Sequence, residues 1–392
     1  MTRLDNVLHI LGTLIGFDTT SRHSNLQLID WIEAELAPLG AHLTRIANAE
    51  GTKANLWVRF GPDLPGGLVL SGHTDVVPID DQDWQTDPFQ LTEANDLLYG
   101  RGTADMKSFL ALCMAFAPDL ARMNLSRPVH FAFSYDEEVG CQGAPDMIER
   151  LVAADARPGA VWVGEPTNWQ VVSGHKGIVV MEVEVTGREA HSSQSMLGVS
   201  AIAEAVDLMA VLRDIERDLS ARSDAGSLFD PPYPTLSIGE VRGGTAVNIL
   251  ARHCTFLFDL RCPPGDDPDA ILAPFIAAAA QADERLRARF PEAGVKVSRL
   301  SNVPPLAPDP DSAAETLVRA LTGDNALRAA AYATEAGQFQ SAGMAAVICG
   351  PGAIDQAHTP NEFVARRELE KGIDIFEALL ARLGASTARH KR

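Results

Sequence analysis

Five short segments each deliver an imidazole or a carboxylate just past an apolar run. SGHTDVVP (71–78) carries His73 and Asp75, LYGRGTADMK carries Asp105, and SYDEEVG carries the adjacent pair Glu137 and Glu138. VGEPT carries Glu165 and GPGAIDQAHTP carries His358. Residues two apart on an extended segment point to the same side, so His73 and Asp75 suit one metal ligand and one orienter. A metal-bound imidazole usually donates its other N–H to a carboxylate, which fixes the tautomer. Adjacent acids repel unless a cation lies between them or one is protonated. Adjacent side chains also diverge, so Glu137 and Glu138 suit different jobs, one ligating a metal while the other takes a proton from an attacking water. Singly, each segment also reads as a polar turn or a cap. Together they supply His, Asp and Glu without Cys, the donor mix of an open catalytic Zn2+ site or of Mn2+ or Co2+, not of a closed structural zinc.

These groups need rigid elements behind them. Short continuous apolar runs at 66–72 (GGLVLSG), 128–135 (PVHFAFSY), 159–164 (GAVWVG) and 345–350 (AAVICG) predict strands of a sheet covered on both faces. NLWVRFG (55–61) adds another apolar run, and His130, inside its own run, is expected in the core. Helical spacing at 4–16, 24–39, 106–123 and 141–155 alternates with these strands. The pattern predicts an α/β domain with a mixed, largely parallel sheet, in which ligands sit beyond the carboxyl ends of the strands. From GIVVMEVEVTG (177–187) the apolar residues alternate with polar ones, as on a strand with one wet face. A helix (198–221), two strands (235–241 and 254–262), a helix (267–290) and a strand (295–300) follow in β-α-β-β-α-β order, the ferredoxin-like α+β arrangement. A Pro-rich stretch (302–311) then leads back to the first domain. The expected division is therefore 1–176 and 303–392 for one domain, with 177–302 inserted in it.

Composition narrows the function classes. Against 33 Lys and Arg stand 52 Asp and Glu, a net charge of −19 over 392 residues, which repels nucleic-acid phosphates. The five cysteines (113, 141, 254, 262 and 349) lack a CxxC pair and read as reduced thiols. The N-terminal MTRLDNVLHILGTLIGF carries Asp5 and His9 among its apolar residues and reads as an amphipathic helix instead of a signal peptide. No run approaches the ~18 apolar residues of a membrane span, so cytoplasm is the expected compartment and no membrane partner is expected.

In this order, SGHTDVVP, GRGTADMK, SYDEEVG, VGEPT and GPGAIDQAHTP resemble the M20 family of dinuclear zinc aminoacylases and peptidases, over essentially the whole chain including the insertion. The resemblance implies two Zn2+ per subunit, with Co2+ or Mn2+ as substitutes. Asp105 would bridge the two ions, one completed by His73 and Glu165, the other by Glu138 and His358. Glu137 would be the general base and acid, Asp75 would orient His73, and the peptide bond after Asp105 would be cis. The inserted domain would act as a lid and build a homodimer, with His191 in GREAHSSQ reaching across it to the reaction's oxyanion. Asn248 in GGTAVNIL and Arg261 in DLRCPP would meet the substrate, Arg261 by bidentate capture of a carboxylate. Within the family, GHKG, GREAHSS, YATEAGQFQ and GPGAIDQAHTPNEF resemble the acetylornithine-cleaving branch more than the succinyl-diaminopimelate branch, which makes Glu335 a candidate reader of a distal ammonium. The implied activity is hydrolysis of a small N-acyl amino acid. Two alternatives stand beside it: another N-acyl amino acid amidohydrolase or desuccinylase, and a metal-binding homologue without catalysis. An intact Glu137 speaks against the latter, which has no use for a base.

Overall fold

The computed structural model describes residues 2–389 apart from 154–156, 223 and 225. By contact the chain divides into two units, one of Met1–Gly174, Leu306–Arg328 and Thr334–Arg392, the other of His175–Pro305 and Ala329–Ala333.

The first unit is built on a six-stranded sheet. Leu68–His73 lies near its middle, parallel to Val129–Ser134 on one side and to Ala160–Val163 on the other. Ala346–Ile348 extends the parallel part beyond Ala160–Val163. On the opposite flank Ala54–Phe60 and then His42–Ala47 add antiparallel strands. Every residue of Leu68–His73 and of Val129–Ser134 is buried, the condition under which strands read as unbroken apolar runs. The fold is α/β with a mixed, mostly parallel sheet. The edge strand His42–Ala47 has no counterpart among the sequence expectations, because only Ile46 on it is buried and its apolar periodicity is weak.

The helices anticipated in this unit are Arg3–Ile15, Leu26–Leu36, Lys107–Arg122 and Ala144–Ala153. Residues 154 and 155 of the last expectation lie outside the described residues. Lys107–Arg122 starts directly behind Asp105 and is apolar nearly all round, so it runs buried between the sheet and the helices Arg3–Ile15 and Arg366–Arg389. Its Phe109 ring packs 5.8 Å from that of Trp162 on the Ala160–Val163 strand. Gly164 is obligatory there, since a Cβ would fall 2.0 Å from the Phe109 ring. That contact fixes the depth at which the chain leaves the sheet toward Glu165.

In the second unit, Thr235–Gly243, His253–Cys262, Gly177–Thr186 and Gly294–Val303 form, in that order, an antiparallel sheet. Gly177–Thr186 alternates buried and half-buried residues throughout its length, as its sequence alternates. Val179, Met181, Val183 and Val185 pack against Leu208 and Leu212 of the helix Ala201–Ser220 and against Leu272 and Phe275 of Pro268–Arg289. Ser200 and Asp267 cap those helices, the second with Pro268 in its first turn. Ala329–Ala333 joins this unit although it is remote in sequence, Ala330 accepting the Lys176 N–H at 3.1 Å.

His130 shows what burial does to a titratable group here. It is 4% exposed, its ring lies 4.6 Å from that of Trp57, and its Nδ1 has no hydrogen-bond partner. Burial, seconded by Arg59, lowers its pKa to about 4. A folded pKa below the unfolded value of about 6.5 means that the unfolded chain takes up the proton first. The stability that neutral His130 contributes is thus full above pH 6.5 and is lost progressively toward pH 4. We expect His130→Phe to flatten this part of the acid limb, with a difference from wild type of about 3 kcal/mol by pH 4. Urea unfolding midpoints of both proteins between pH 7 and 4 measure it; parallel curves would contradict a neutral buried imidazole.

Candidate metal centre

His73 ends its strand, and its ring orientation follows from one contact. Nδ1 lies 2.9 Å from the backbone carbonyl of Asp75. A carbonyl can only accept, so Nδ1 carries the proton and the lone pair of the neutral ring sits on Nε2. That Nε2 faces Asp105 Oδ1 at 3.0 Å and Glu165 Oε2 at 4.0 Å. The other oxygen of Asp105 faces the second imidazole, His358 Nε2, at 3.3 Å, and His358 Nε2 lies 2.9 Å from Glu138 Oε2. One carboxylate thus presents one oxygen to each histidine. The Asp105–Met106 peptide bond is cis.

The expectation that the Asp75 carboxylate orients His73 is corrected. Its Oδ1 stands 3.7 Å from His73 Nδ1, beyond hydrogen-bond distance, and the main-chain carbonyl takes that place. The carboxylate instead accepts the backbone N–H groups of Glu137 at 3.1 Å and Glu138 at 3.3 Å, and the Ser21 hydroxyl at 2.6 Å. The reason is geometric: the 136–138 turn, entered through Asp136 at φ 55°, points its free amides at Asp75. Asp75 therefore holds the loop that carries the two glutamates.

Ligand atoms of His73, Asp105 and Glu138 lie within 4.8 Å of one another, as do those of His73, Glu137 and Glu165. Glu137 Oε1 also lies 3.2 Å from Cys141 Sγ. The electrostatics are those of crowded acids. Burial, compounded by neighbouring carboxylates, pushes Glu165 well above the usual carboxyl range; it does the same to Glu137, with His73 opposing. Burial and the Asp105 charge raise Glu138 to about 7. Burial opposes ionisation of Asp105 too, yet contacts with His358 and His73 hold its carboxyl below the usual range. The same carboxylates lift His358 to about 10, and lift His73 well above its ordinary value against its burial. Protons are the only positive charges these side chains can supply to one another. Glu138 Oε1 is buried with no hydrogen-bond partner at all. This donor set, with a lone pair and unpaired acid oxygens converging, fits divalent cations.

Glu335 belongs to the same unit and heads the short helix Ala336–Ser341. It is 1% exposed; Oε2 accepts from the Ser71 hydroxyl at 3.3 Å and Oε1 has no partner. Burial raises its pKa to about 7. The other three anticipated residues lie in the second unit. His191 is exposed and caps the turn Ser192–Leu197, its Nδ1 accepting the Ser193 N–H at 3.2 Å. Asn248 adjoins it, its carbonyl accepting the Ser192 N–H at 3.0 Å. Arg261 pairs along its strand with Asp259 at 2.8 Å. Two residues that the sequence did not single out support the centre, Ser21 beneath Asp75 and Glu362, which accepts the N–H of Asp105 at 3.0 Å. Glu362 follows HTPN directly, the one signal that could have marked it.

The family model of peptidase family M20/M25/M40 matches residues 69–382. An acetylornithine deacetylase of Aliivibrio salmonicida (strain LFI1238) is 32% identical over 370 residues, 94% of either chain. Another, of Pectobacterium carotovorum subsp. carotovorum (strain PC1), is 34% identical over 356 residues, 88% of either chain. Among solved structures, the M20 family metallo-carboxypeptidase Sso-CP2 from Sulfolobus solfataricus superposes with a TM-score of 0.77 at 18% identity, covering 97% of this chain and 100% of that one. Human carnosine dipeptidase 1 gives 0.72 at 19% identity, covering 97% of both chains. At such identities the structural likeness speaks for the fold. With the family model spanning most of its length and relatives above 30% identity along it, this chain belongs to the M20/M25/M40 peptidase family.

Proposed function

We propose that this chain is a two-metal amidohydrolase that cleaves N2-acetyl-L-ornithine to L-ornithine and acetate, as in arginine biosynthesis. The observation that carries the two-metal reading is the Asp105 carboxylate, with one oxygen on the His73 side and the other on the His358 side. In this reading His73 and Glu165 complete one cation site and Glu138 and His358 the other, for Zn2+ or, in its place, Co2+ or Mn2+. When bound, such ions polarise the amide carbonyl and acidify water. The protein's own work is proton transfer and orientation. Glu137, half-buried beside the ligands, accepts a proton from the attacking water as the new C–O bond forms, and returns it to the amine nitrogen as the C–N bond breaks. Asp75 keeps Glu137 in place through the main chain.

The substrate reading rests on the named relatives and on Glu335. A buried carboxylate with a free oxygen is costly until a donor reaches it, and the distal ammonium of ornithine is such a donor. In the second unit, a lid and dimerisation domain in this reading, His191 meets the oxyanion across a homodimer, while Asn248 and Arg261 meet the substrate, Arg261 at its carboxylate. Among the described residues no helix is long and apolar enough to cross a membrane, and cytoplasm is the compartment that suits a biosynthetic deacetylase.

Three measurements test this reading. Metal-free protein reloaded with Zn2+ or Co2+ should release acetate from acetylornithine well above neutral acetyl amino acids, and succinate from succinyl-diaminopimelate poorly. Preference for a neutral or succinylated substrate would retain the amidohydrolase and discard acetylornithine as its substrate. Glu137→Gln should keep its metal while turnover falls by about 10²- to 10⁴-fold; retained turnover would remove Glu137 as the base. Because His358, raised to about 10, holds a proton at neutral pH in the metal-free chain, Zn2+ uptake should release protons and weaken as pH falls. Calorimetry in buffers of different ionisation enthalpy reads the released protons directly, and a buffer-independent heat would contradict the arrangement.

A further inference from the structure

Glu362 sits in the loop that carries His358 and is 1% exposed. Its Oε1 accepts the backbone N–H groups of Ala104 at 2.8 Å and Asp105 at 3.0 Å. Its Oε2 accepts the Gly102 N–H at 2.9 Å and Arg101 Nη1 at 2.7 Å. Arg101, equally buried, also reaches the Thr359 carbonyl at 3.4 Å through Nη1 and Gln82 Oε1 at 2.5 Å through Nη2. Gln82 closes the circuit, its Nε2 donating to the carbonyl of His358 at 3.1 Å. Three separate segments, 82, 101–105 and 358–362, are therefore tied together by these side chains.

His358 needs such restraint. Its backbone lies at φ 61°, a region that a non-glycine residue seldom holds by itself, and its side chain is 52% exposed, so packing grips it weakly. His73, by contrast, is locked at the end of a buried strand and by the Asp75 carbonyl, neither of which touches this circuit. We propose that Glu362, with Arg101 and Gln82, is a positioning residue that sets the separation of the Asp105 carboxylate from the His358 imidazole. It thereby governs chiefly the affinity of the cation on the His358 side, where both ligands hang on the circuit, and to a lesser degree that of the cation on the His73 side, where Asp105 alone does. The proposal rests on the two-metal reading given above.

The test is a Zn2+ titration of metal-free protein against a chromophoric chelator, with the visible spectrum of the Co2+-loaded form as a second readout. Wild type should take up two ions, and His358→Ala, the ligand control, should lose one. Glu362→Gln should bind one ion about 10- to 100-fold more weakly and the other with a clearly smaller loss, with an altered Co2+ spectrum. Equal weakening of both ions overturns the proposal, as does a wild-type titration of Glu362→Gln while His358→Ala loses an ion. A wild type that binds a single ion, or a His358→Ala that keeps two, overturns the two-metal reading and this proposal with it. If Glu362→Gln does not fold, Gln82→Leu carries the comparison, since it leaves the Glu362 contacts in place. It should weaken the same ion by a smaller factor, and an unchanged titration there overturns the proposal.

Discussion

The constraint on which this structure turns is the lone pair of His73 Nε2, which the Asp75 carbonyl forces to face Asp105 and Glu165. A lone pair opposed by acids at 3.0 and 4.0 Å is repulsive unless positive charge lies between them. Protons can provide it only in part, since Glu138 Oε1 remains unpartnered even when the imidazoles are protonated. A cluster of this kind is held together by the fold around it and not by its own contacts. The sheet supplies the force: Leu68–His73 and Val129–Ser134 bury all of their residues and end at the same level.

Rigid strands bring the acids to one place, yet strand ends alone do not aim them. The aiming is done by carboxylates that do not face the centre and that accept backbone amides. Asp75 takes the N–H groups of Glu137 and Glu138, and Glu362 takes those of Ala104 and Asp105. A charged acceptor on an amide is stronger than a neutral one, and two amides on one carboxylate fix the plane of the loop as well as its distance. The same device thus serves two of the loops that carry acids of the centre, which fits a site where an ångström of play would change coordination.

What could be read in the sequence follows from how local each signal is. The four double-covered strands announce themselves by composition, and the acids after them by position, so the groups gathered around His73 were all visible as strand-end or loop residues. The alternating strand Gly177–Thr186 was visible for the same reason. His42–Ala47 was not, because an edge strand with one buried residue carries little pattern. The role of the Asp75 carboxylate is not legible because its partners are two backbone amides, which have no residue type to recognise, and the hydroxyl of Ser21, 54 residues away. Glu362 escaped notice likewise, its amide partners lying 257 to 260 residues away.

The Arg101 and Glu362 pair makes little sense as a source of stability. Two charges at 1% side-chain exposure lose their hydration, and apolar residues of the same volume are often as stable or more so. The geometry explains the pair better. An ionised carboxylate offers about four acceptor positions and no donor, and here four donors meet it: the N–H groups of Gly102, Ala104 and Asp105 and the Arg101 guanidinium. A glutamine would turn an amide N–H against one set of those donors, and an aliphatic side chain would strand three backbone amides in the interior. The guanidinium then balances the charge that the amides require, while its second nitrogen reaches Gln82 and so the His358 loop. Charge is retained at this buried position because a loop that must not move needs an acceptor for every amide it exposes.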